Sequence, residues 1–127
     1  MRNSRQIIGK RGEDQACRHL ESLGHTIVAR NWRHGRLEID IISLLGHELH
    51  FVEVKSRTAP ALAAPQTNVG AAKQHRLTAA ALAFMNSGTR RLLPPDLEVF
   101  FDVVTLLFDG PDFEIEYYPQ AFIPTYA

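Results

Sequence analysis

Two apolar strand candidates constrain this chain most. Residues 37–45 read Leu-Glu-Ile-Asp-Ile-Ile-Ser-Leu-Leu, residues 48–56 read Glu-Leu-His-Phe-Val-Glu-Val-Lys-Ser, and only Gly46-His47 lies between them. Two β-rich runs separated by a two-residue loop with a glycine predict a hairpin. A two-residue turn pairs Leu45 with Glu48, which sets Asp40 opposite Glu53 and Glu38 opposite Lys55. All four charges then share one face, while Leu37, Ile39, Ile41, Val52 and Val54 form continuous core on the other. The charged face itself turns apolar at Ile42, Leu44, Leu49 and Phe51. Strands of this kind are covered on both sides, with the charges in a partly buried notch.

Two facing carboxylates repel by roughly 0.2–1 kcal/mol when exposed, and by more when desolvated. Something positive has to compensate. Lys55 is diagonal to Asp40, and a divalent cation also answers the geometry, because hard oxygen donors from two or three carboxylates suit Mg²⁺ or Mn²⁺. A cross-strand ladder with Glu38 paired to Lys55 is the alternative, and patterning alone leaves both open.

The rest of the chain reads as one α/β domain over residues 1–127. Its length and its 45% hydrophobic content suit a single core. Apolar or small residues at Ile8, Ala16, Leu20 and Leu23 predict a helix over 4–23, ended by Gly24. Strands are expected over 26–32, 37–45 and 48–56, and a Pro- and Ala-rich loop over 58–65. A second helix spans 68–86 with Val69, Leu77, Ala80, Ala81 and Phe84 along one stripe. Strands over 97–108 and 113–118 complete the order α, three strands, α, two strands, which predicts a mixed central β-sheet flanked by helices. The stretch from Tyr117 to Ile123 is expected to pack on its own core. The single cysteine, Cys17, rules out an intrachain disulfide and points to a reducing cytoplasm. No apolar run approaches about 18 residues, so no membrane span is expected, and the N-terminal Ile7-Ile8 is too short for a signal-peptide core.

Fourteen Lys and Arg balance fourteen Asp and Glu, which argues against strongly basic, sequence-blind nucleic-acid binding. The balance is uneven along the chain. Residues 1–58 hold ten basic against seven acidic side chains, a net +3, and the remainder four against seven, a net −3.

Asp40 followed by Glu53-Val54-Lys55 resembles the D…(D/E)-x-K signature of restriction-endonuclease-like nucleases. Gly12-Glu13, Ala16, Leu20, Gly24, Asn31-Trp32-Arg33, the segment from Leu37 to Ile42, the segment from Phe51 to Arg57, Lys73 and Phe101-Asp102-Val103-Val104 extend the likeness over nearly the whole chain. Together they resemble the YraN-like proteins, a bacterial family of small predicted endonucleases related to archaeal Holliday-junction resolvases. The resemblance implies a restriction-endonuclease-like core and a Mg²⁺- or Mn²⁺-dependent nuclease acting on nucleic acid, with DNA and branched or repair intermediates as the expected substrates. It implies Asp40 and Glu53 as metal ligands with the Val54 carbonyl, Glu13 as a ligand through water, and Lys55 as the cation that orients the attacking water or neutralises the phosphorane. A homodimer is implied as well, since related resolvases act as dimers. Ile39 replaces a proline often found before the aspartate, and Phe100 stands where the family tends to have a basic residue.

Glu38 shares the charged face as an auxiliary group or a partner of Lys55. Lys73 near the start of the second helix, with Gln74 beside it, is placed for a phosphate contact. Arg30, Arg33 and Arg36 alternate with Trp32 and could line a phosphate track, which Arg57 at the end of the Glu53 motif joins. Asp102, amid Phe100, Phe101, Val103 and Val104, requires a partner if buried, either Arg33 or the edge of the site. The six histidines are expected on the surface or in turns, and no serine or Cys17 has the company of a nucleophilic triad. A non-cleaving nucleic-acid-binding module with the same fold is the rival function, and an interaction domain held by a salt-bridge ladder is the third.

Overall fold

A computed structural model describes residues 3–60 and 69–122. Helix α1 (Ser4–Ser22) starts at Asn3, whose side chain accepts from the Gln6 N–H while the Gln6 side chain accepts from the Asn3 N–H. This reciprocal cap satisfies two donors that the first turn would leave unpaired. Strands β1 (Thr26–His34), β2 (Leu37–Leu45) and β3 (Glu48–Thr58) follow, then α2 (Ala71–Met85), a 3₁₀ turn (Thr89–Leu92), β4 (Glu98–Asp109) and β5 (Asp112–Phe122). The strands form one sheet in the order β1-β2-β3-β4-β5. All neighbours run antiparallel except β3 and β4, which are parallel over Glu48↔Glu98 to Thr58↔Phe108. Parallel neighbours require a crossover, and α2 supplies it.

The expected α/β class and mixed, helix-flanked sheet are therefore observed, consistent with a restriction-endonuclease-like core. The hairpin register is also as expected from Leu45↔Glu48 to Ile41↔Val52, with Gly46 in the left-handed conformation (φ 58°) that a tight turn needs. Helix α1 covers one face, where Ala16, Cys17 and Leu20 pack on Ile41, Val52, Val104, Leu106 and Phe108. Helix α2 covers the other, where Leu77, Ala80, Ala81 and Phe84 pack on Ile39, Ile42, Leu49, Phe51 and Phe101. Burial on both faces explains why β2, β3 and β4 are nearly continuous in apolar residues.

Some boundaries move. Leu23 lies past the last turn of α1 and is 49% exposed rather than in the stripe. Most of the loop predicted over 58–65 falls outside the described residues, as does Ile123. Tyr117, Tyr118, Ala121 and Phe122 pack on the chain's own core, as expected of the C-terminal stretch. No helix among the described residues is long and apolar enough to cross a membrane.

Candidate active site

The site forms where β2 and β3 part. Their paired residues end at Ile41↔Val52, and the next inward N–H, that of Val54, donates to Asp40 Oδ2 at 2.8 Å. The alternation of β2 breaks at the same point. Ile39 packs with the α2 cluster and Ile41 with the α1 cluster, although residues two apart on a regular strand share a face. The common face expected for Leu37, Ile39 and Ile41 is corrected accordingly, and so is the facing pair of Asp40 and Glu53. The neighbouring strand switches faces at the same level. Asn31 of β1 takes a left-handed φ of 49°, so that Arg30, opposite Ile41, reaches α1, while Trp32, opposite Ile39, packs edge-on against Phe84 of α2 at 5.4 Å.

This switch turns Asp40 into a cleft of about 430 Å³ beside α1, lined among others by Arg5, Glu13, Asp40, Val54, Ser56 and Arg57. Gly12 lets the helix settle there. A Cβ on Gly12 would stand 1.8 Å from Ser56 Oγ and 3.1 Å from Ser56 Cβ, so any other residue would force the Ser56 hydroxyl aside and crowd its Cβ; the glycine carries the usual cost of about 1 kcal/mol inside a helix. Glu13, the next residue, is thereby delivered to the cleft.

Four carboxylates crowd the junction, and three of them pair with a cation. Glu13 Oε1 accepts from Asn31 Nδ2 at 2.8 Å and pairs with Arg30 at 3.5 Å. Glu38 pairs with Arg33 at 3.7 Å. Glu53 pairs with Lys73 Nζ of α2 at 3.3 Å. Asp40 makes no ion pair among the described residues. Burial first, then the Glu53 charge, outweigh the hydrogen bond from Val54, and with Glu13 and Glu38 they push the Asp40 carboxyl up to about 7.

A carboxylate so placed takes up either a proton or an added cation. No three His, Cys, Asp or Glu side chains among the described residues are gathered so as to hold a metal ion by themselves. Mg²⁺ does not require such a cage, since it keeps several waters and binds through one or two carboxylates. Asp40 and Glu13 line one cleft, and Glu53, outside its lining, acts on Asp40 through its charge, so these three carboxylates are the ones that could hold such an ion.

The other expected site residues divide. Arg57 lines the cleft, and Arg5, which the sequence reading passed over, lines it too. Lys55 is half-buried on β3. Arg33 and Arg36 stand exposed near the end of the β1–β2 hairpin, outside the cleft lining. Arg30 leaves the predicted phosphate track to bind Asp14 at 2.7 Å as well as Glu13. Gln74 Nε2 donates to the Val69 carbonyl at 2.6 Å, tying down the entry to α2 rather than serving the cleft.

Asp102 also lies elsewhere. Its partners are neither Arg33 nor the site edge but His50 Nδ1 (2.5 Å), the Tyr117 hydroxyl (2.5 Å) and the Gln120 N–H (2.9 Å). Gln120 sits in an irregularity of β5 with φ 53°, and the Asp102 carboxylate satisfies the donor released there. His50 and His25 are correspondingly buried, at 3% and 5% exposure, which corrects their surface assignment. His25 bonds Ser43 Oγ at 2.9 Å, and its ring meets that of His50 at 4.7 Å. The missed signal is parity: His50 and Val52 alternate with Glu53, so His50 points away from the charged face and needs a buried partner.

With the geometry in hand, comparison with known proteins is specific. The uncharacterised protein family UPF0102 matches over residues 12–106. A UPF0102 protein of Nitratidesulfovibrio vulgaris strain DP4 is 39% identical over 122 residues, covering 96% of this chain and 88% of its own. One from Bacteroides thetaiotaomicron is 38% identical over 117 residues, covering 92% and 93%. Another from Porphyromonas gingivalis strain W83 is 38% identical over 116 residues, covering 90% and 82%. The chain belongs to the UPF0102 family.

Proposed function

We propose that this member of the UPF0102 family is a divalent-cation-dependent nuclease of the restriction-endonuclease-like group, hydrolysing phosphodiester bonds of DNA, branched or repair intermediates among them. The observation that carries the reading is Asp40. It is a largely buried carboxyl amid three other carboxylates, each of which pairs with a cation while Asp40 makes no ion pair among the described residues. Asp40 and Glu53, helped by Glu13, would hold Mg²⁺ or Mn²⁺. When bound, such an ion lowers the pKa of a coordinated water and stabilises the departing alkoxide.

The chain's own residues supply the rest. Val54 fixes the Asp40 carboxylate through its N–H. Asn31 and Arg30 hold Glu13 at the cleft wall, in position to accept a hydrogen bond from a water. Lys55 neutralises charge that develops on the phosphate. Arg5 and Arg57, at the cleft that holds Asp40 and Glu13, bind the phosphates on either side of the scissile one. The net positive first half of the chain is consistent with approach of a polyanion.

Branched, nicked, single-stranded and duplex DNA incubated with Mg²⁺ or Mn²⁺ test this directly. Cleavage by the wild type and its loss in Asp40→Asn and Lys55→Ala are expected. Cleavage that is absent, or equal in the variants, overturns the enzyme. Binding without cleavage would instead support the non-cleaving module.

A further inference from the structure

The Glu53–Lys73 ion pair brings a cation from a different element onto a carboxylate that the proposed nuclease needs for metal. Glu53 is held on a strand with its side chain 14% exposed, whereas Lys73 is 43% exposed. The glutamate is therefore the fixed partner, and the lysine, on a flexible four-carbon stem, is the one able to leave. Lys73 also stands in the first turn of α2, whose cap residue Gly70 contributes no side-chain hydrogen bond and whose first turn has no acidic residue. The positive end of a helix and an ammonium group disfavour each other, so Lys73 gains from any anion within reach. In the structure that anion is Glu53.

Glu53 is also the charge that acts most on Asp40. A dication shared by Asp40 and Glu53 would lie within a few ångströms of the Lys73 ammonium and would repel it. Metal and lysine thus compete for one carboxylate. We propose that Lys73 is an exchangeable counter-cation of the site: it occupies Glu53 while metal is absent, and moves onto a phosphate of the bound nucleic acid once metal takes Glu53. The proposal rests on the nuclease reading above. It makes Lys73 a positioning residue whose removal has opposite effects on the two ligands.

The test uses the full chain and the variants Lys73→Gln and Lys73→Arg, with thermal melts to show that each is folded, as expected at a half-exposed position. Free Mn²⁺ is measured by electron paramagnetic resonance. Lys73→Gln should bind Mn²⁺ about five-fold more tightly than the wild type, the upper range for a half-exposed ion pair, and Lys73→Arg should bind it as the wild type does. Binding of a fluorescein-labelled forked DNA is then followed by anisotropy in Ca²⁺ over a series of KCl concentrations. Here Lys73→Gln should bind several-fold more weakly, with a salt slope shallower by about 0.7–0.9, the signature of one lost phosphate contact. If Lys73→Gln leaves Mn²⁺ affinity unchanged or lowers it while Asp40→Asn abolishes binding, the metal site stands and the exchange is refuted. If neither the wild type nor Lys73→Gln binds Mn²⁺, the nuclease reading itself fails and the exchange falls with it.

Discussion

Replacing Asp40 by asparagine should stabilise the cation-free protein at alkaline pH and at the same time abolish its response to divalent cations. The carboxyl titrates near 7 in the folded chain against 3.8 for an unperturbed aspartate. A raised folded-state pKa contributes stability that is present below the unfolded value and lost as pH climbs through the folded one. The wild type therefore weakens between about pH 4 and pH 7 and carries the full deficit above that. Three pKa units at about 1.36 kcal/mol each set an upper bound of about 4 kcal/mol. Water reaching the open cleft brings the expected value nearer to about 2 kcal/mol. Asparagine keeps an acceptor for the Val54 N–H and removes the charge that Glu53, Glu13 and Glu38 oppose. For a domain of this length, about 2 kcal/mol corresponds to a rise in Tm of roughly 6–10 °C. Melts followed by circular dichroism in EDTA at pH 4, 6 and 8 should show a gap that is small at pH 4 and largest at pH 8. Adding Mn²⁺ should then raise the wild-type Tm, as a ligand of the folded state must, and leave the variant unmoved. An Asp40→Asn protein that melts at or below the wild type at pH 8, or a gap that does not widen with pH, would refute the reasoning.

Four further outcomes follow from the same structure. Gly12→Ala should cost about 1–3 kcal/mol through overpacking against Ser56 and should weaken Mn²⁺ binding by displacing Glu13; much of the loss should return in the double variant with Ser56→Gly, as a denaturation cycle would measure. Asp102→Ala should destabilise by about 3 kcal/mol or more, because His50, Tyr117 and the Gln120 N–H lose a buried partner, yet leave Mn²⁺ affinity unchanged. Burial lowers the His50 pKa, but the bonds to Asp102 and Glu48 outweigh it and hold the ring above its ordinary value; its stabilisation is lost as pH rises through the folded value, so an NMR titration of His50 should shift downward in Asp102→Ala. Trp32 is the only tryptophan and has the His34 ring parallel to it at 6.3 Å; single-stranded DNA should quench its fluorescence in a manner weakened by Arg33→Ala, and a flat titration would remove the hairpin end from the nucleic-acid path.

The residues that local rules placed and those they missed differ in where their partners come from. The register from Leu45↔Glu48 to Ile41↔Val52 was legible because turn length and strand period act within twenty residues, and the stripe Leu77, Ala80, Ala81, Phe84 because a buried helix face repeats within two turns. Legibility stopped at Asp40. The break in alternation is matched by a left-handed Asn31 in another strand, and the Val54 N–H that ends the ladder is captured by a side chain, which no hydrophobic period encodes. Glu53 was legible as a ligand candidate, but its partner Lys73 arrives from α2 across a crossover. His50 and Asp102 could be matched only once β3 and β4 were known to run parallel. Asp40, Glu53, His50 and Asp102 are each poorly suited to a strand interior alone, and each is made tolerable by a group from elsewhere in the fold or, at Asp40, by a proton. Such local conflict is where function concentrates. Of the four, the conflict at His50 and Asp102 is fully resolved by hydrogen bonds inside the core, which marks that pair as structural. The conflict at Asp40 is resolved only by a proton or an added cation, which is why the proposed chemistry is placed at that end of the sheet.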